Sequence, residues 1–150
     1  MTREPIYAAL FAFFSGLTAG GTPLFVTATR IPTTWENVAP EDQPALLLMP
    51  RTETAKYRKG LPTIWTLSID LLLYVHTGAQ NDPAQVPAAL LNTLIDAVEA
   101  SIAVDDLSNQ TCTLGGLVSH CAIQGQIELS LGSLGDEAVA IIPLEILTSP

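Results

Sequence analysis

Between Thr63 and His76 the chain alternates strictly, with Trp65, Leu67, Ile69, Leu71, Leu73 and Val75 on one face. Thr66, Ser68, Asp70, Leu72, Tyr74 and His76 fall on the other, which predicts a long strand with one buried side. At ~3.3 Å per residue it spans on the order of 40 Å, about twice an ordinary strand, so it is expected to bend or to project beyond the domain body.

Helical spacing occurs twice. Ile6, Leu10, Phe13, Phe14 and Leu17 follow Thr2, Glu4 and Pro5, predicting a helix capped by Thr2 and ended by Gly20–Gly21. Its other side carries Ala8, Ala12, Ser15, Gly16 and Ala19, small enough for another backbone to approach closely. Two readings fit that side: a helix inside its own domain, or one packed between subunits. Leu90, Leu94, Val98 and Ile102, with Leu91 and Ile95 beside them, form the stripe of a second helix. Asn81, Asp82 and Pro83 suggest its start, although Pro87 unsettles the first turn.

Further strands are expected at Pro23–Ile31, at Ala45–Met49 between Pro44 and Pro50, at Gly115–Ala122, at Gln124–Leu131 with a break at Gly125, and at Ala138–Leu147. A loop with Pro32, Trp35, Pro40 and Pro44 and a turn over Gly132–Asp136 connect them. The order describes one α+β domain over residues 1–150: a mainly antiparallel sheet, two helices packed on it, and long hairpin arms.

Composition sharpens this picture. Apolar residues make up 48% of the 150 and charged ones 14%, about half the usual share of charge, so copies of the chain or partners are expected to cover much of the surface. All six cations (Arg3, Arg30, Arg51, Lys56, Arg58 and Lys59) lie in the first 60 residues, with five carboxylates. Residues 61–150 carry ten carboxylates and no Lys or Arg. Such a surface repels polyanions, which argues against gripping DNA or an acidic membrane. The run Arg51–Gly60, with Lys56, Tyr57, Arg58 and Lys59, is expected at a hairpin tip, either solvated or docked on a partner. The apolar stretch Ile6–Leu17 is shorter than the ~20 residues a membrane span needs.

Candidate chemistry is sparse. Cys112, His120 and Cys121, with His76 as a fourth ligand, lack the paired spacing of a zinc site, and adjacent strand residues point to opposite faces. Two cysteines are too few for a disulfide framework and fit synthesis in a reducing cytoplasm. Asp70 and His76 stand ~20 Å apart on an extended strand. Asp105–Asp106 reads as a solvated turn, and the glycines at 20, 21, 115 and 116 follow no phosphate-loop pattern. No catalytic, cofactor or metal residue is assigned, and an enzyme is not expected.

The string Gln110–His120 with its Thr113-Leu114-Gly115-Gly116 phrase, Gly125–Glu128, and Leu134–Ile146 with Ala138–Ile146 at its end form a distinctive layout. With the N-terminal helix and Leu61–Pro62 leading into the long strand, it resembles the tail-terminator type of tail-completion proteins of long-tailed bacteriophages. The resemblance implies an α+β subunit, commonly in hexameric rings on the head-proximal end of the tail tube. There it would stop tube growth and offer the head-joining surface in the neck of the virion. Partners would be other copies, the tail-tube protein and a head-completion or stopper protein, with DNA passing through the channel without sticking. Asp96, Glu99, Asp105, Asp106, Asp136 and Glu137 are then candidates to line that channel, and Arg51, Lys56, Tyr57, Arg58 and Lys59 to dock on a partner ring. Competing readings are a head-side connector or tail-tube-like ring protein, and a cytoplasmic binding module using the Trp35–Pro44 loop.

Overall fold

In the computed structural model, which describes residues 2–76, 86–131 and 137–148, the first helix, α1, runs Arg3–Ser15. Its buried residues Tyr7, Leu10 and Phe14 lie three and four apart, so they form one stripe along the cylinder. Thr2 occupies the cap position with extended backbone, without a side-chain cap bond. The helix ends at Gly16, earlier than expected. Gly20 and Gly21, at φ +59° and +83°, instead make the turn of a small hairpin, β1 (Thr18–Ala19) with β2 (Thr22–Pro23). Two successive positive φ values suit a tight hairpin and end a helix. Ala19 therefore belongs to the hairpin and not to the small-residue face.

That hairpin consumes the start of the expected strand Pro23–Ile31, leaving only β3 (Thr27–Thr29). β3 pairs in parallel with β4 (Ala45–Arg58), Thr27 opposite Ala45. The chain between them turns through short 3-10 segments at Trp35–Asn37 and Pro40–Asp42. Pro50 does not end β4. β3 reaches only Leu47, so Pro50 sits at an edge, where a missing N–H is tolerated, and a register shift follows before Thr52. β5 (Leu61–His76) pairs antiparallel with β4 from Ala45↔Tyr74 to Arg58↔Leu61. The expected basic loop at 51–59 is thus mostly strand, and only Lys59 and Gly60 turn.

The second helix, α2 (Pro87–Ser101), begins at Pro87, whose absent N–H suits a first helical position. Asn81, Asp82 and Pro83 lie outside the described residues. Leu91, Leu94 and Val98 are its buried stripe. β6 (His120–Ile123), β7 (Glu128–Leu131) and β8 (Glu137–Leu147) follow. The strand expected from Gly115 starts only at His120, because Gly115 and Gly116 have φ +75° and +89° and belong to a turn. The Gly132–Asp136 turn lies outside the described residues.

The main sheet runs β3-β4-β5-β8-β6, with β7 also on β8. β6 and β7 are one edge strand interrupted at Gly125. Ile123 faces Leu144 and Glu128 faces Ile141, so the edge strand carries extra residues opposite Ile142 and Pro143. Gln124 N donates to Pro143 O at 3.0 Å across that interruption.

Both helices cover the same sheet face. Leu10, Phe14, Leu91, Leu94 and Val98 pack with Leu67, Ile69, Leu71, Leu73 and Val75 of β5 and Ala140, Ile142, Leu144 and Ile146 of β8. The period-two pattern and the two helical stripes therefore meet in one core. A smaller cluster of Ala45, Leu47 and Tyr74 occupies the opposite face. There Tyr74 Oη donates to Thr33 O at 2.7 Å, tying the irregular loop to the sheet. The protein is an α+β fold, mostly antiparallel, with a long hairpin.

Candidate assembly surface

β8 pairs with β5 only up to Leu147↔Thr66, and Thr148 N then donates to Trp65 O at 2.9 Å. Past that point β4 and β5 continue as a two-stranded arm, residues 55–64, without a third strand among the described residues. α1 fastens its root. Arg3 Nε donates to Glu53 Oε2 at 2.5 Å, the Arg3 guanidinium lies 4.7 Å from the centre of the Trp65 ring, and Tyr7 Oη donates to Glu53 Oε1 at 3.0 Å. A second pair, Arg30 to Glu4 at 2.6 and 3.1 Å, joins the segment after β3 to the helix start.

Lys56, Tyr57, Arg58 and Lys59 come together at the tip, as the spacing suggested. Arg51 does not join them: it lies further back, paired with Asp70 at 3.4 Å. Burial raises the Asp70 pKa, and Arg51 partly opposes that rise. Arg58 donates twice to Pro62 O, at 3.1 and 2.7 Å, and so braces the turn. Among the described residues neither Lys56 nor Lys59 has a charged partner. A register shift between Lys56 and Arg58 brackets Tyr57, which is 79% exposed, and Leu61 opposite Arg58 is 59% exposed. In the sequence Leu61 stands out only as the lead into the long strand, and nothing links Arg3, Glu53 and Trp65; an apolar residue just past the hairpin glycine was the available signal.

The six candidate acids separate into different roles. Asp96 and Glu99 are exposed on α2, three residues apart on one flank. Asp105 accepts from Thr113 N at 2.6 Å, Thr113 Oγ1 at 2.9 Å and Gly115 N at 2.8 Å. Asp106 accepts from Asn109 Nδ2 at 2.7 Å and Ser108 N at 3.0 Å. These bonds favour the ionised forms and hold both carboxyls below their ordinary pKa, so the pair staples the loop after α2. Glu137 is only 8% exposed, opposite His76 at the start of β8, and offers no open acidic surface in the single chain. Asp136 lies outside the described residues. On α1, Ala8 and Ala12 are exposed, as is Gly16 at its end, while Ser15 is half-buried.

Cys112 and Cys121 are buried free thiols. Burial pushes Cys121 up to about 12 and raises Cys112. Cys112 N donates to His120 Nδ1 at 3.2 Å, so in the neutral ring the hydrogen sits on Nε2, a tautomer assigned from that bond. Among the described residues no group of three or more His, Cys, Asp or Glu is placed to hold a metal. His76 faces Glu137 and His120 faces Leu147, at opposite ends of β8 and roughly 30 Å apart, so the fold does not bring the two histidines together.

A cavity of about 260 Å³ lies between the end of α2 and β6, walled by Ile102, Val104, Ala122 and Ile123, with Glu99 and His120 also lining it. A second, of about 180 Å³, lies beside the irregular loop and is lined by Trp35, Val38, Pro40, Gln43, His76 and Glu137. No described helix is long and apolar enough to cross a membrane. No protein-family model matches the chain, and no curated protein matches it in sequence.

Proposed function

We propose that this protein is a structural ring subunit of the tail-terminator type, capping a bacteriophage tail tube, ending its elongation and presenting the surface to which the head is joined. The observation that carries the reading is a sheet left unfinished at both ends. Beyond Leu47 the outer edge of β4 has no partner strand among the described residues, nor has the outer edge of β7. Leu129 and Leu131 of β7 face the same side as the buried Ala140 and Ala138, yet they are 58% and 63% exposed. The core layer stops one strand short of the sheet. Repeated head-to-tail contact between copies covers both edges and closes on itself, as a ring does.

In this reading the ring, a hexamer by the resemblance, meets the tail-tube protein on one face and a head-completion protein on the other. DNA passing the channel would meet the cation-free second half of the chain, whose ten carboxylates repel phosphate. The protein is made in the host cytoplasm and ends in the virion neck. Tails assembled without it should grow past their normal length and carry no heads, and added protein should restore both. Tails of normal length joined to heads in its absence would overturn the reading. A head-side connector would leave tube length unchanged and appear on the capsid side. The cavity beside Trp35 favours the second reading, a binding module for a peptide or small molecule, which predicts a monomer or dimer.

A further inference from the structure

We infer that the arm of one copy seats in the cavity at the end of α2 on the next copy, with Tyr57 entering it and Lys56 and Lys59 meeting its acidic lip. The inference rests on the ring reading and names one of its contacts.

The arm is built as a plug without a socket. A two-stranded ribbon is marginal in water by itself, and this one ends in exposed Tyr57 and Leu61 between cations that have no carboxylate partner among the described residues. The register shift at Tyr57 is the kind of irregularity that aims a side chain out of the sheet.

The cavity is built the other way. Its walls are Ile102, Val104, Ala122 and Ile123, and Glu99 lines it. Asp96 lies nearly one turn back on the same flank of α2, and Asp105 directly follows Val104. No Lys or Arg occurs after residue 60 to neutralise that lip locally. In the neutral ring the His120 Nε2–H is a donor for a phenol oxygen, and an aromatic ring with a polar tip suits a largely apolar pocket whose lining also includes the His120 imidazole and the Glu99 carboxylate. A second copy of this chain is thus the occupant that charge complementarity selects.

Placement agrees with this. The arm leaves the sheet where Thr66 faces Leu147, and β6 begins where His120 faces Leu147, so both lie at one end of the sheet. They lie on different flanks: β4 and β5 form the arm, the cavity borders β6, and β8 runs between them. The antiparallel arm runs away from its own cavity. A head-to-tail neighbour brings arm and cavity together, and repetition closes the ring.

The test is a charge exchange read by light scattering across a concentration series. Lys56→Glu with Lys59→Glu alters only the arm; Asp96→Lys with Glu99→Lys alters only the lip; a third chain carries all four changes. Arg58 is left intact because it braces the turn. Each single-surface variant should keep the wild-type circular dichroism and melting curve and weaken self-association at least about tenfold, and the fourfold variant should recover most of it. Tyr57→Ala should weaken association as well, without recovery from lip changes. If the wild type forms rings and all variants do so equally, the contact is wrong while the ring stands. If the wild type remains a monomer up to its solubility limit, with or without tail tubes, the ring reading falls and takes the contact with it.

Discussion

The Arg3 guanidinium lies 4.7 Å from the centre of the Trp65 ring, and the same side chain donates to Glu53 on the adjoining strand at 2.5 Å. One residue in the first turn of α1 thus holds both strands of the arm at its root. The long hairpin is fastened where it leaves the body and exposed where it ends.

Arg3→Ala should therefore loosen the root. The lost cation–π contact and the partly exposed ion pair are together worth about 1 kcal/mol, which for a chain of this size lowers the melting temperature by roughly 3 °C. Arg3→Lys keeps the charge without the planar stack and should recover only part of it. Thermal unfolding followed by tryptophan emission reads both, and an unchanged melt for Arg3→Ala would refute the clasp.

Tyr7 gives the same root a pH dependence. Burial, and then the hydrogen bond to Glu53, push its phenol up to about 12 from 10.0. The folded state holds this proton more tightly than the unfolded chain, so the contribution is complete below pH 10 and is lost as pH rises towards 12. In an absorbance titration at alkaline pH, Tyr7→Phe should remove a late-ionising phenol and flatten the loss of stability in that window. A titration whose last step is unchanged in the variant would contradict the assignment.

What the sequence made legible follows from which signals are local. The alternation from Trp65 to Val75 repeats over several pleats and the helical spacings Leu10–Phe14 and Leu91–Val98 span about one and two turns, and each lies in the core. Pro50 and Gly20–Gly21 misled because their meaning depends on neighbours. Pro50 is accepted inside β4 because β3 is short, and the glycine pair makes a hairpin because Leu17 O receives Leu24 N at 3.0 Å. The cationic tip was legible as composition. Its removal from Arg51 was not, since that depends on β4 running on to Arg58. Asp105 and Asp106 looked like free surface acids, because their partners Thr113, Gly115 and Asn109 are chosen by loop geometry.

The staple formed by Asp105 should fail in acid. Bonds from Gly115 N and Thr113 N depress its pKa below 3.8, so its contribution is present above pH 3.8 and is lost as pH falls through the lower folded value. Amide exchange at Thr113 and Gly115 should accelerate in that range. Asp105→Ala should show the fast exchange already at pH 7, and equal protection in the two proteins would rule the staple out.

Gly125 marks the interruption of the edge strand. At φ +117° an L residue is strained, and a Cβ would lie 3.4 Å from Pro143 Cγ. Gly125→Ala should cost about 1–2 kcal/mol in denaturant unfolding without changing the slope against denaturant. A variant as stable as the parent would show that the glycine is not required there.

The central claim is that this chain completes its sheet with copies of itself. The most direct measurement is the native mass in solution by light scattering, with electron microscopy of the same sample, alone and with tail tubes added. The account predicts one discrete multiple of the subunit mass and closed rings of uniform diameter that cap the tubes. A single-subunit mass at every concentration, with tubes left uncapped, would contradict it.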